Sequence, residues 1–141
     1  MRDEVSIPAF KLDHTGLARL FGELEAQVME IVWQLDEATV NDVLIRLSDE
    51  HHYNTVMTVM SRLADKGILV RRREGRAHIY EPVEDRDTFL ARVSREVAEG
   101  LLREFGAVAI AQFVDAADAV DPELLAELRR RVQEKAGSDD Y

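Results

Sequence analysis

Asn54-Thr55-Val56-Met57-Thr58-Val59-Met60-Ser61-Arg62-Leu63-Ala64-Asp65-Lys66-Gly67 opens the stretch that decides the fold. Ile68-Leu69-Val70-Arg71-Arg72-Arg73-Glu74-Gly75-Arg76-Ala77-His78-Ile79-Tyr80-Glu81-Pro82 completes it. With Asn54 at zero and about 100° per residue, Val56, Val59, Met60 and Leu63 gather near about 190°, an apolar stripe that needs a packing partner. The other side carries Asn54, Thr58, Ser61 and Asp65, flanked by Thr55 and Arg62. A helix is therefore predicted from about 54 to 66, capped by Asn54 or Thr55 and closed by Gly67. Two β-prone runs around Gly75 then read as a hairpin that Pro82 ends.

Upstream, Leu24, Val28, Ile31, Val32 and Leu35 recur at helical spacing, which predicts a helix from about Glu23 to Leu35. Asp36-Glu37 breaks it. Ala38-Thr39-Val40 reads as a very short strand, and Asn41 is placed to cap a second helix through Ser48, with Val43, Leu44 and Leu47 inward. Helix, small strand, helix, turn, helix and hairpin in that order make a winged helix-turn-helix. Downstream of Asp85 the pattern is purely helical. Phe89, Leu90, Val93, Val97, Leu101 and Phe105 form one repeat, and Ile110, Phe113 and Val114 a second. Asp121-Pro122-Glu123 opens a last helix on Leu124, Leu125, Leu128 and Val132. The expected fold is mainly α with a small β-wing: a winged helix-turn-helix domain plus a C-terminal helical dimerisation arm. The expected divisions are a flexible arm at 1–16, the winged domain at 17–84, the helical dimerisation domain at 85–136 and a polar tail at 137–141.

The 141 residues are 46% hydrophobic and 33% charged, a balance that suits a globular chain. No apolar run approaches the roughly 18 residues of a membrane span, and no apolar segment follows Met1-Arg2-Asp3-Glu4 as a secretory signal would require. Cysteine is absent, which excludes disulfides, thiolate nucleophiles and thiolate-bound metals and makes the reducing cytoplasm the expected location. The formal net charge of −10 argues at first against a polyanionic partner. Between Asn54 and Tyr80, however, Arg62, Lys66, Arg71, Arg72, Arg73 and Arg76 face only Asp65 and Glu74. That island carries +4 in 27 residues and leaves −14 on the other 114. Phosphate affinity follows the local field, because charges are screened beyond about 8 Å at physiological salt.

Short hydrogen-bonding side chains and one arginine on the outer side of the third helix suit base edges and thymine methyls. An ordinary solvated helix face carries more Glu and Lys, since threonine is a poor helix former. Thr55, Thr58, Ser61 and Arg62 are the expected base-reading residues. Lys66, Arg72, Arg73, Arg76 and His78 are expected to position the DNA backbone, and Thr39 and Asn54, at helix starts, to donate to phosphates. His51-His52 resembles a metal pair, but adjacent histidines point apart and no third ligand joins them, so they read as polar loop. No metal or cofactor is expected, and nothing in the chain argues for an enzyme. The apolar faces after Asp85 exceed the partner surface within one chain, which predicts a homodimer through Leu90, Val93, Val97, Leu101, Ile110, Phe113, Val114, Leu124, Leu125 and Leu128. The alternative is a winged-helix protein-interaction module whose basic island docks an acidic partner; a small-molecule regulator ranks below it.

Taken together these residues resemble the penicillinase-repressor (BlaI/MecI) family of bacterial transcription repressors. The resemblance rests on Gly22-Glu23-Leu24-Glu25 with Val28-Met29 and Trp33, on Ala38-Thr39-Val40, and above all on Asn54 to Met60 leading into Arg62-Leu63. Lys66-Gly67, Gly75-Arg76-Ala77 and Tyr80-Glu81-Pro82-Val83 continue it, so that it covers about 20–135. It implies a dimeric winged-helix repressor on double-stranded inverted-repeat operator DNA. It also implies relief by proteolysis in the dimerisation region, triggered by a membrane sensor protease that detects β-lactam. The relatives' scissile Asn-Phe matches Gln112-Phe113 here, with glutamine in place of asparagine. The family's copper-responsive branch uses a C-terminal cysteine motif, which this chain lacks.

Overall fold

A computed structural model describes residues 21–138, so the arm expected at 1–16 and the last three residues of the expected tail lie outside the described residues. The order is α1 (Glu23–Leu35), α2 (Val40–Leu44), α3 (Tyr53–Asp65), β1 (Leu69–Glu74), β2 (Ala77–Pro82), α4 (Arg86–Phe105), α5 (Ala107–Val120) and α6 (Pro122–Ser138). This is the mainly helical, small-winged order expected from the sequence. The chain divides into two compact units, one ending at Val93 and one from Ser94 onward.

In the first unit the apolar stripes meet as their periods dictate. Val28, Met29 and Val32 of α1, Val43 of α2, and Val56, Met60 and Leu63 of α3 are fully buried against one another and against Leu69 and Tyr80 of the hairpin. Burying each such side chain contributes about 1.5–3 kcal/mol. Ala38 forms an isolated antiparallel bridge with Tyr80, its amide and carbonyl each 2.9 Å from the partner groups. That bridge is the short strand expected at 38–40, reduced to one residue.

Two caps differ from expectation. Thr39, not Asn41, caps α2: its hydroxyl accepts from the Asp42 amide at 3.1 Å, while the Asp42 carboxylate accepts from the Thr39 amide at 3.0 Å. The reciprocal box satisfies two otherwise orphaned donors, and Asn41 has no such partner three residues on. The helix stops at Leu44 instead of reaching Ser48. Helix α3 starts at Tyr53 with His52 as its cap residue and no side-chain capping bond, so neither Asn54 nor Thr55 caps it. Its other end is as expected. Gly67, at φ +82°, donates to the Ala64 carbonyl and Ile68 to the Leu63 carbonyl, both at 3.0 Å, a Schellman closure. A Cβ at Gly67 would meet nothing within 4 Å, so Gly67→Ala adds only the left-handed backbone strain. It is expected to lower stability by about 1 kcal/mol, read as a reduced urea midpoint with an unchanged slope.

The first unit also takes in the start of α4. Phe89 and Val93 are buried, with the Phe89 ring stacked on Phe21 at 5.5 Å and tilted against Trp33 at 5.4 Å. The Trp33 indole donates to the Glu84 carbonyl at 3.0 Å, and Arg86 grips Glu30 through two nitrogens at 3.0 and 3.1 Å. Asp85 caps α4 by accepting from the Thr88 amide at 2.8 Å, which holds its carboxyl below the usual range. That contribution is present at neutral pH and fades as pH falls through the lowered pKa.

The second unit has a different character. Among its described residues none is fully buried. Helices α5 and α6 pack on each other across Asp121, whose carboxylate accepts from the Glu123 amide at 3.0 Å. Its ion pairs run within helices, as in Arg95–Glu99 at 2.9 Å and Arg131–Glu127 at 2.7 Å. Charged faces are thus satisfied locally, and the apolar faces stay exposed. The polar tail expected from 137 begins as helix, since α6 continues through Ser138.

Candidate nucleic-acid interface

With its apolar stripe locked against α1 and α2, α3 presents the remaining side outward. Asn54, Thr55, Thr58 and Arg62 are exposed there, and Ser61 is half-buried with its hydroxyl 3.5 Å from the Arg71 guanidinium. Two apolar side chains share that exposure: Tyr53 at 46% and Met57 at 39%. Sequence reasoning passed over both. The signal was present, because Met57 falls at about 300° on the same wheel, well off the buried stripe.

The wing follows from a two-residue turn. Gly75 has φ +63° and Arg76 does not have a positive φ, the pattern of a type II′ hairpin with glycine first. Register then decides which arginines share a side, since directly paired residues of an antiparallel ladder point the same way. Arg71 pairs with Tyr80 and Arg73 with His78, on the side whose base is fixed by buried Leu69 and Tyr80. Arg72 pairs with Ile79 and points to the other side. There its guanidinium meets Glu37 at 2.9 Å, Glu81 at 3.1 Å and Glu74 at 3.7 Å. The hydrogen bond to Glu37, with the fields of these carboxylates, pushes its pKa up. Arg72, expected at the DNA backbone, thus lies among three carboxylates, and Arg71, which the sequence reading left out of the contacts, shares the side of Arg73 and His78.

The remaining expected contacts are less uniform. Arg76 and His78 are exposed at the turn and on β2. Thr39 spends a lone pair on its own helix but keeps its hydroxyl proton for donation. Lys66 sits at the C-cap of α3 with its ammonium 3.5 Å from Glu25. Charge is thus sorted across the first unit. Among its described cations, Lys66, Arg72, Arg86 and Arg92 contact carboxylates. Arg62, Arg71, Arg73 and Arg76, all on α3 or the hairpin, have no acidic partner, and neither has Arg46 just after α2.

Of the expected dimerisation residues, Val93 is 2% exposed within the first unit, so it is core there and cannot supply a surface. Leu101, Ile110, Phe113 and Leu124 are exposed; Leu90, Val97, Val114, Leu125 and Leu128 are half-buried. Leu102, Val108 and Val120 are exposed too and were not foreseen. Gln112 and Phe113 lie in the middle of α5, inside regular helix. Among the described residues no cluster of histidines and carboxylates is arranged to hold a metal, and no helix is long and apolar enough to cross a membrane.

Residues 21–134 match the family described as penicillinase repressor. The chain belongs to the penicillinase repressor family. Within it, the chain is 45% identical over 78 residues to the transcriptional regulator BlaI of Mycobacterium tuberculosis, covering 53% of this chain and 56% of that one. It is 30% identical over 70 residues to the penicillinase repressor of Bacillus licheniformis, covering 48% and 55%. The chain thus spans about half the length of the relatives it matches. The solution structure of the DNA-binding domain of the repressor BlaI is 31% identical, covers 47% of this chain and 83% of that one, and superposes with a TM-score of 0.43.

Proposed function

We propose that this chain is a dimeric, cytoplasmic transcriptional repressor that binds an inverted-repeat operator in double-stranded promoter DNA. In this reading α3 enters the major groove with Thr55, Thr58, Ser61 and Arg62 at base edges. Arg71, Arg73, Arg76 and His78 hold the flanking backbone, and Asn54 and Thr39 donate to phosphates. The observation that carries it is the charge sorting: within the first unit, the described arginines without a carboxylate lie on α3, the hairpin and the turn after α2. Such arginines are available to displace counterions from phosphate.

The exposed apolar faces of α5 and α6 support a homodimer, which sets two copies of α3 on one duplex. Relief by a membrane sensor protease at Gln112-Phe113 belongs to the same reading. A protease binds an extended chain, so α5 has to unwind locally before cleavage, and intact protein in fully induced cells would rule the step out.

The test is fluorescence anisotropy on duplex from the protein's own promoter against a scrambled duplex, at two salt concentrations. Specific binding is expected to exceed non-specific by about 10³-fold or more. Equal weak binding to both duplexes favours the protein-interaction module instead. Arg62→Ala is expected to cost about 1–3 kcal/mol on the selected site and less on random DNA. Arg76→Ala weakens all sequences alike and lowers the salt slope by about one, whereas Arg72→Ala leaves the slope unchanged.

A further inference from the structure

We infer that Met57 is a specificity-determining residue that reads the 5-methyl group of a thymine in each half-site; this rests on the DNA-binding reading above. Met57 opens into a cleft of about 320 Å³ between α3, the start of α2 and the hairpin. Tyr53 stands one helical turn before it, Ala77 and Tyr80 add apolar wall, and Thr39, Arg76 and His78 form the polar part. Not one lining residue is acidic, in a chain that holds 28 Asp and Glu. Arg76 has no carboxylate partner among the described residues.

The cleft therefore offers an apolar floor beside a cation, with no acidic side chain in its lining. A nucleotide fits that pairing: its phosphate takes the cation, and among the bases thymine alone presents a methyl in the major groove. Met57 suits the methyl because it is unbranched and polarizable, and it adapts to the surface it meets. On the outer face Asn54, Thr58 and Ser61 carry short hydrogen-bonding groups, and Met57 is the long aliphatic side chain beside them. A helical side chain leans toward the helix N-terminus, which brings Met57 back over Tyr53.

The experiment selects sites from a random duplex pool with the full chain. Each thymine of the selected site is then replaced singly by deoxyuridine, which removes only the methyl. Wild type is expected to lose roughly three- to five-fold per methyl at one thymine in each half-site, the worth of one buried carbon. Met57→Ala is expected to bind the unmodified site more weakly and to be indifferent to deoxyuridine at that position. Met57→Leu restores the sensitivity. Identical deoxyuridine profiles for wild type and Met57→Ala overturn the assignment, as does a selected half-site without thymine, while DNA binding itself stands. A pool in which no site is enriched overturns the DNA-binding reading and this inference with it.

Discussion

Phe113→Glu is expected to convert the chain to a monomer and to lower its affinity for a full inverted repeat by about 10²–10⁴, the bivalency that a second attached half-site supplies. Phe113 is 64% exposed in the middle of α5, with Ile110 one turn earlier and exposed as well. Phe113 is not among the core residues of the winged unit, so the variant is expected to retain that core and its affinity for an isolated half-site. A carboxylate at this point would have to be desolvated against the partner's apolar face, at a cost that no rearrangement of exposed helix ends recovers. Sedimentation equilibrium reads the oligomeric state, and anisotropy on full-site and half-site duplexes reads the consequence. A variant that stays dimeric would show that α5 is not the interface. A monomer with undiminished full-site affinity would show that the two reading helices act independently.

Some of this was legible because it depends on short-range periodicity. Val56, Val59, Met60 and Leu63 could be placed inside from spacing alone, and Gly67 and Gly75 mark positions where only a positive φ closes the helix or turns the hairpin. What escaped was set by partners distant in sequence. The capping of α2 by Thr39 is tied to the bridge between Ala38 and Tyr80, which fixes where the chain enters the helix. The side on which Arg72 emerges depends on which hairpin residues the core claims, and Leu69 settles that. Val93 belongs to the same apolar repeat as Leu101, yet Val93 is buried and Leu101 is exposed. A repeat cannot say which surface covers which of its members. Met57 was passed over for another reason: hydrogen-bonding side chains were sought on the outer side of α3, although much of a folded surface is apolar. In the candidate interface, therefore, the exposed polar side of α3 was legible, while the exposure of Met57 was not, and the sorting of wing arginines needed the register.

Phe89→Ala is expected to be the most damaging single change to stability, costing about 3–5 kcal/mol. The ring lies 5.5 Å from Phe21, nearly parallel at 11°, and 5.4 Å from Trp33 at 50°, with the Arg92 guanidinium 5.4 Å from its centroid. Truncation opens a cavity between two aromatic rings that cannot both close on it, because the Trp33 indole is anchored to the Glu84 carbonyl. Phe89→Leu keeps most of the volume and loses the ring contacts, worth about 0.5–1.5 kcal/mol per aromatic pair, so its effect is expected to be distinctly smaller. Trp33 is the chain's one tryptophan, and its fluorescence reports directly on this cluster during urea unfolding. Against a typical domain stability of about 5–15 kcal/mol, that loss is a large fraction, and the alanine variant is expected to unfold at a distinctly lower urea midpoint. Equal midpoints for wild type and Phe89→Ala would mean that Phe21 and Trp33 are held by the rest of α1. A large loss confined to the alanine variant would place the stability of the whole winged unit, and with it the aim of α3, on the first two turns of α4.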